Sequence, residues 1–241
     1  MKRYLSVFEM IARSSIYKVL LAVIGMALLE AVLFGLTMLN PSAIYFERYI
    51  DQSLYSYIFR LAYTVVTVIL VLPGMNIGST QSYTLQRLRI KESRIFWLQS
   101  LYNFLAYVLL WGVQLLVLLG SIAVFHRYLP DGAFESNQTY FLAFYRNDFM
   151  HSILPLEDMG DWWILGLIGL ASAYAAAEFT KQQRVRKVAF ELPVLVVTVW
   201  LGFPGGLGYD HAVLWTGIAV AIISMCFRWL IYVLNTGGDE A

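Results

Sequence analysis

IFWLQSLYNFLAYVLLWGVQLLVLLGSIAVF, residues 95–125, decides the fold class. The run is continuously apolar, and it is longer than the roughly 20 residues a helix needs to cross the hydrocarbon core of a bilayer. A membrane-spanning β-strand needs only about 10 residues and alternates in hydropathy, which this run does not. In lipid, a helix lets one segment satisfy all of its own backbone groups. The stretch therefore reads as a membrane helix that tilts or projects beyond the bilayer.

The rest of the chain repeats that reading. Hydrophobic residues make up 59% of the sequence and charged residues 14%, against about half and about a quarter in an ordinary soluble domain. A soluble core cannot absorb that surplus, but lipid can. Five more apolar runs occupy 17–39, 56–77, 162–179, 188–203 and 212–234. The first ends at Asn40-Pro41, the second carries Pro73-Gly74 near its far end, and the fifth in chain order stops at Pro204-Gly205-Gly206. The expected fold is all-α, with residues 1–241 forming a single polytopic membrane domain of six transmembrane helices and no separate soluble domain. The largest polar connector is 126–161. Cys226 is the only cysteine, so no intrachain disulfide forms. The N-terminal apolar stretch is too long for a cleaved signal peptide and contains Glu30.

Lys and Arg set the expected orientation. Three clusters, Lys2/Arg3/Arg13/Lys18, Arg87/Arg89/Lys91/Arg94 and Lys181/Arg184/Arg186/Lys187, fall on one side when each span inverts the chain. The opposite connectors hold Arg48, Arg127 and Arg146 together with most of the acidic residues. Six spans with both termini in the cytoplasm fit all three clusters. Trp97 and Trp229 then lie at inner ends, and Trp162, Trp163, Trp200 and Trp215 at or near outer ends. Trp111 falls halfway along a span.

No catalytic constellation is legible. The sequence contains no GxxxxGK[ST] phosphate loop, no HExxH and no GxSxG turn, so no enzymatic activity is expected of this chain. His126, His151 and His211 are too scattered for a metal site, and no cofactor is expected. Charges at membrane depth are the functional suspects: Glu30 and Arg60 are expected to form an intramembrane ion pair. Glu178, Glu191 and Arg228 lie near inner ends, where they can snorkel. Gln99, Asn103 and Gln114 suit hydrogen bonds between helices. Gly169, Ala173 and Ala177 recur at four-residue spacing, which lets two helix backbones approach closely.

The segment GSTQSYTLQRLRIKESRIF, residues 78–96, follows an even-numbered span and is therefore expected in the cytoplasm. Leu85, Leu88 and Ile95 alternate with Arg87, Lys91 and Arg94, the pattern of a short surface helix with one apolar and one basic face. Such a helix lies on a membrane or docks into a partner. From Tyr83 to Leu110 the sequence resembles ABC-2-type permeases, the membrane subunits of certain ATP-driven transporters. Thr84-Leu85, Leu88 and Ser93-Arg94 carry the resemblance. Arg89 stands where that family often has proline, and Gln81-Ser82 where it often has an acidic residue and glycine. The connector 204–211 is shorter than the re-entrant segment many members carry.

The resemblance implies a permease subunit in a prokaryotic plasma membrane. It implies a coupling helix within 81–94 that docks on a separate ATP-binding subunit through Tyr83, Leu85, Leu88, Arg89, Lys91 and Arg94. ATP and Mg²⁺ would be held by that partner. It further implies a second permease chain, and an interfacial helix over 1–15 with Tyr4, Phe8 and Ile11 on its apolar face. Export of a peptide, drug or lipid-like molecule would follow; nucleic acid would not be a partner. An ion- or proton-coupled carrier and a non-transporting assembly or sensor protein remain open alternatives.

Overall fold

The chain is described here from a computed structural model covering residues 2–39, 46–75, 92–128, 137–156, 159–184, 190–203 and 211–236. Among these residues the regular structure is entirely helical. The helices are α1 (Lys2–Leu39), α2 (Phe46–Gln52), α3 (Tyr55–Met75), α4 (Glu92–Tyr128), α5 (Asn137–Arg146), α6 (Asp148–Ile153), α7 (Met159–Arg184), α8 (Glu191–Gly202) and α9 (His211–Thr236).

Four of them contain stretches long and apolar enough to cross a membrane: Ser6–Leu39, Tyr55–Leu72, Ser93–Tyr128 and Met159–Gln183. Shorter apolar stretches occupy Glu191–Gly202 and Ala212–Ser224. The two faces of the long helices explain their sequences. Along α4, the polar residues inside the apolar run, Gln99, Ser100, Asn103, Gln114 and Ser121, are all buried, while Leu101, Leu105, Leu116 and Leu119 are exposed. Along α1, Val19, Val23, Met26, Glu30 and Phe34 recur at helical spacing on the buried face, and Leu21, Leu28, Val32, Leu36 and Leu39 face outward. Polar groups inside and leucine outside is costly in water and favourable in lipid, where the interior must satisfy the hydrogen bonds.

α1 packs against α3 and α4, α4 also packs against α7, and α3 contacts both α1 and α7. α8 and α9 pair with each other and with α7. The helices differ in reach. The Trp162 ring, in the first turn of α7, lies 6.3 Å from that of Trp111 at the middle of α4. α4 therefore runs on for about 25 Å beyond that level, at 1.5 Å per residue. The space beside this overhang is filled by α2, α5 and α6, which form a cap at one end of the bundle.

Aromatic rings bind the cap to the bundle. Phe46 and Tyr49 sit 5.4 and 5.3 Å from Phe125 of α4, and Phe149 lies 6.1 Å from Phe59 of α3 and 6.3 Å from Phe203. Asn147 caps α6 by accepting from the Met150 amide at 3.0 Å, and its own amide donates to Asp51 Oδ1 of α2 at 2.7 Å.

Several boundaries differ from expectation. Residues 2–15, expected as an interfacial helix, are continuous with the first apolar stretch: α1 runs unbroken from Lys2 to Leu39, about 57 Å at 1.5 Å per residue. With no glycine, proline or charged break between 12 and 24 other than Arg13 and Lys18, nothing interrupts the helix. The connector 126–161 contains two short helices, α5 and α6. Residues 81–91 of the expected coupling helix lie outside the described residues, while Ser93 and Arg94 belong to the first turn of α4.

Candidate functional site

The expected Glu30–Arg60 pair is not formed, and each residue has other partners. Arg60, one turn into α3, donates to the Trp200 carbonyl at 2.9 Å, to the Ser56 carbonyl at 3.2 Å and to the Ser56 hydroxyl at 3.1 Å. Its guanidinium also stacks 4.6 Å from the Tyr57 ring and 5.2 Å from the Trp200 ring. Trp200 in turn donates its indole N–H to Thr64 at 2.8 Å. The planar fork of arginine suits this combination of carbonyls and ring faces. Arg60 thus fastens α3 to the end of α8, and the sequence offered no sign that the partner was a backbone carbonyl 140 residues away.

Glu30 is completely buried on α1, facing α4. Gln114, also completely buried, donates from Nε2 to Glu30 Oε2 at 2.9 Å. Neither Glu30 Oε1 nor Gln114 Oε1 has a hydrogen-bond partner. Beyond this pair, toward the cap, Tyr55 of α3 and Ser121 of α4 share a 2.7 Å hydrogen bond, and Thr37 and Ser53 share one of 3.0 Å.

Away from the cap, further polar contacts tie α1, α3, α4 and α7 together. Ser15 donates to Tyr102 at 2.9 Å, Thr67 and Tyr107 are 2.9 Å apart, Tyr63 and Ser172 are 2.6 Å apart, and Asn103 donates to the Ala173 carbonyl at 3.2 Å. The small-residue row on α7 lies at this contact. Ala173 and Ala177 are buried, and a side chain at Gly169 would come within 3.6 Å of Phe104, an ordinary contact.

Between α3, α4, α7 and α8 lies a cavity of about 230 Å³. Phe59, Tyr63, Phe104, Tyr107, Trp111 and Trp162 supply most of its aromatic wall, with Gly166 and Gly169 leaving the room. Trp111, at the middle of α4, has its indole N–H bonded to the Ile153 carbonyl at the end of α6, at 2.8 Å. The polar edge of the ring is thereby satisfied, and only its apolar face meets the cavity.

Comparison with known proteins gives no match. No protein family, curated protein or solved structure aligns with this chain.

Three features escaped the sequence reading. Glu178 and Glu191 do not snorkel outward: both are buried and, with Ser224, border a small hollow between α7, α8 and α9. Ser224 donates to Glu191, and Gln182 donates to Glu178 at 2.7 Å. His151 Nε2 lies 3.6 Å from Asp161 Oδ2, joining α6 to the start of α7, with its other ring nitrogen 3.1 Å from the Phe144 carbonyl. A second tight helix contact joins α8 and α9. A side chain on Gly217 of α9 would collide with Thr198 of α8, and one on Gly202 would come within 2.8 Å of Leu214. Gly202 ends α8 and Gly217 lies in α9, and what makes each position tight is the side chain opposite on the other helix, which its own sequence does not show. Among the described residues, no group of three or more potential metal-binding side chains occurs.

Proposed function

We propose that this chain is the membrane-spanning permease subunit of an ATP-driven transporter, crossing a prokaryotic plasma membrane six times with both ends in the cytoplasm. The observation that carries the reading is the amphipathic basic segment ending in Ser93-Arg94, which leads directly into α4, the 37-residue helix contacting both α1 and α7. The three basic clusters support the orientation. The absence of a phosphate loop from the sequence means that ATP would be split by a separate subunit.

The packing around the start of α4 supports a mechanical role for that segment. Ile95 packs with Val7 of α1, Phe8 of α1 lies 6.1 Å from Tyr102, and Phe96 lies 4.8 Å from Tyr174 of α7. Lys181 of α7 lies 5.7 Å from the Phe96 ring. A partner pushing on 81–94 would therefore act on α1, α4 and α7 together. ATP binding and hydrolysis in the partner would rock this group, and cargo would pass at the seam with a second permease chain. The apolar, aromatic cavity between α3, α4, α7 and α8 favours the lipid-like end of the cargo range.

The test is affinity recovery of the tagged chain from native membranes in mild detergent. Wild type is expected to bring down an ATP-binding subunit, and the double substitution Leu85→Asp, Leu88→Asp to lose it while remaining folded. Failure to recover an ATPase even after crosslinking would end the permease reading.

A further inference from the structure

We infer that Glu30 and Gln114 form a proton-binding site between α1 and α4, in which Glu30 is a neutral carboxylic acid whose Oε1 hydroxyl donates to Gln114 Oε1. The argument rests on hydrogen-bond accounting. Both side chains are completely buried, and one bond joins them, from Gln114 Nε2 to Glu30 Oε2 at 2.9 Å. That leaves Glu30 Oε1 and Gln114 Oε1, each without a partner. An ionised carboxylate and an amide oxygen can only accept. In the ionised state the site would therefore hold two orphaned acceptors and a buried charge with no cation beside it among the described residues. One proton placed on Glu30 Oε1 supplies the missing donor, satisfies both oxygens and removes the charge. Carboxyl and amide are planar groups of matched bite, so the second bond closes a ring beside the first.

The surrounding groups leave the proton as the remedy. Arg60 of α3 is turned to Trp200 and Ser56. Tyr55 of α3, the titratable side chain within electrostatic range of Glu30, is hydrogen-bonded to Ser121. On α4, Tyr102 and Tyr107 are bonded to Ser15 and Thr67, and on α2 Asp51 is held by Asn147.

The site has a mechanical consequence. Loss of the proton sets two bare acceptors against each other between α1 and α4, so deprotonation and separation of these helices favour one another. The pair is thus a proton-controlled latch, independent of what the chain carries or whether an ATPase drives it.

Infrared spectroscopy of the purified protein in lipid vesicles at neutral pH tests the assignment. Wild type is expected to show a protonated-carboxyl C=O band that shifts in D₂O and is lost in Glu30→Gln. Identical spectra of wild type and variant in that region would overturn the proposal. So would a Glu30 band that disappears on adding sodium or potassium, which would assign the space to a metal cation. Should Glu30→Gln fail to insert, Gln114→Leu gives the same decision. A neutral Glu30 keeps its band, moved to higher frequency by loss of its acceptor, whereas an unchanged carboxyl region would refute the pair.

Discussion

Arg60, on a helix apolar enough to cross a membrane, is held by carbonyls and ring faces and has no carboxylate partner among the described residues. Three of its five donors are taken by two carbonyls and a hydroxyl, and its face lies against two rings. A lysine would keep the charge but could not match the fork or the stacking. Arg60→Lys is expected to destabilise the α3–α8 contact by about 1.5–3 kcal/mol, the scale of hydrogen bonds to charged groups, read as a lower melting temperature in detergent. Because Glu30 is no partner of Arg60, combining Arg60→Lys with Glu30→Gln should give additive losses. A coupling term above about 0.5 kcal/mol would restore the ion pair.

At the scale of elements, the two glycine contacts separate cleanly. Gly169 has room for a methyl group beside Phe104, whereas at Gly217 the Thr198 side chain already occupies the place a Cβ would take. Thr198 cannot easily swing away, because its hydroxyl donates to the Val194 carbonyl at 2.7 Å. Gly169→Ala should be close to neutral, while Gly217→Ala forces α8 and α9 apart at a cost of about 1–3 kcal/mol, the usual range for overpacking. Thermal denaturation of the two variants side by side decides it: equal stabilities would mean the α8–α9 approach is looser than described.

On the scale of the whole molecule, the cap completes a bundle whose helices are of unequal length. It meets the bundle through rings, but its own parts are joined by the Asp51–Asn147 hydrogen bond between α2 and the start of α6. Desolvation there pushes the Asp51 carboxyl above the usual aspartate range. The Asn147 amide pulls it part of the way back, and Asp148 adds to the rise. A raised value in the folded state means that the folded chain holds this proton more tightly than the unfolded one. The contribution to stability is therefore fully present below the ordinary aspartate value and is lost as pH rises through the folded value. Asp51→Asn, which retains an acceptor for Asn147, should remove that pH-dependent component from the melting profile. A profile in which the variant keeps the wild-type slope would exclude Asp51 as its source.

The all-helical, membrane-compatible character was legible in composition and run length, because lipid selects on total apolar content and span, and both are properties of sequence alone. The inward stripe of Gln99, Asn103 and Gln114 was legible for the same reason: polar groups in such a run must find partners inside. Which partners they find was not. Glu30 and Arg60 looked complementary by charge, yet packing gives Glu30 to Gln114 and Arg60 to a carbonyl of α8. A hydrogen bond depends on positions fixed by every intervening helix, not on residue type. The cap was hidden because a polar connector and a pair of short helices have similar compositions, and α6 is held by its burial among helices distant in sequence. Gly217 likewise matters only because Thr198 stands opposite. Sequence determined what environment this chain needs; tertiary structure alone decided which buried groups meet, since pairwise contact is a property of three-dimensional proximity and leaves no local trace.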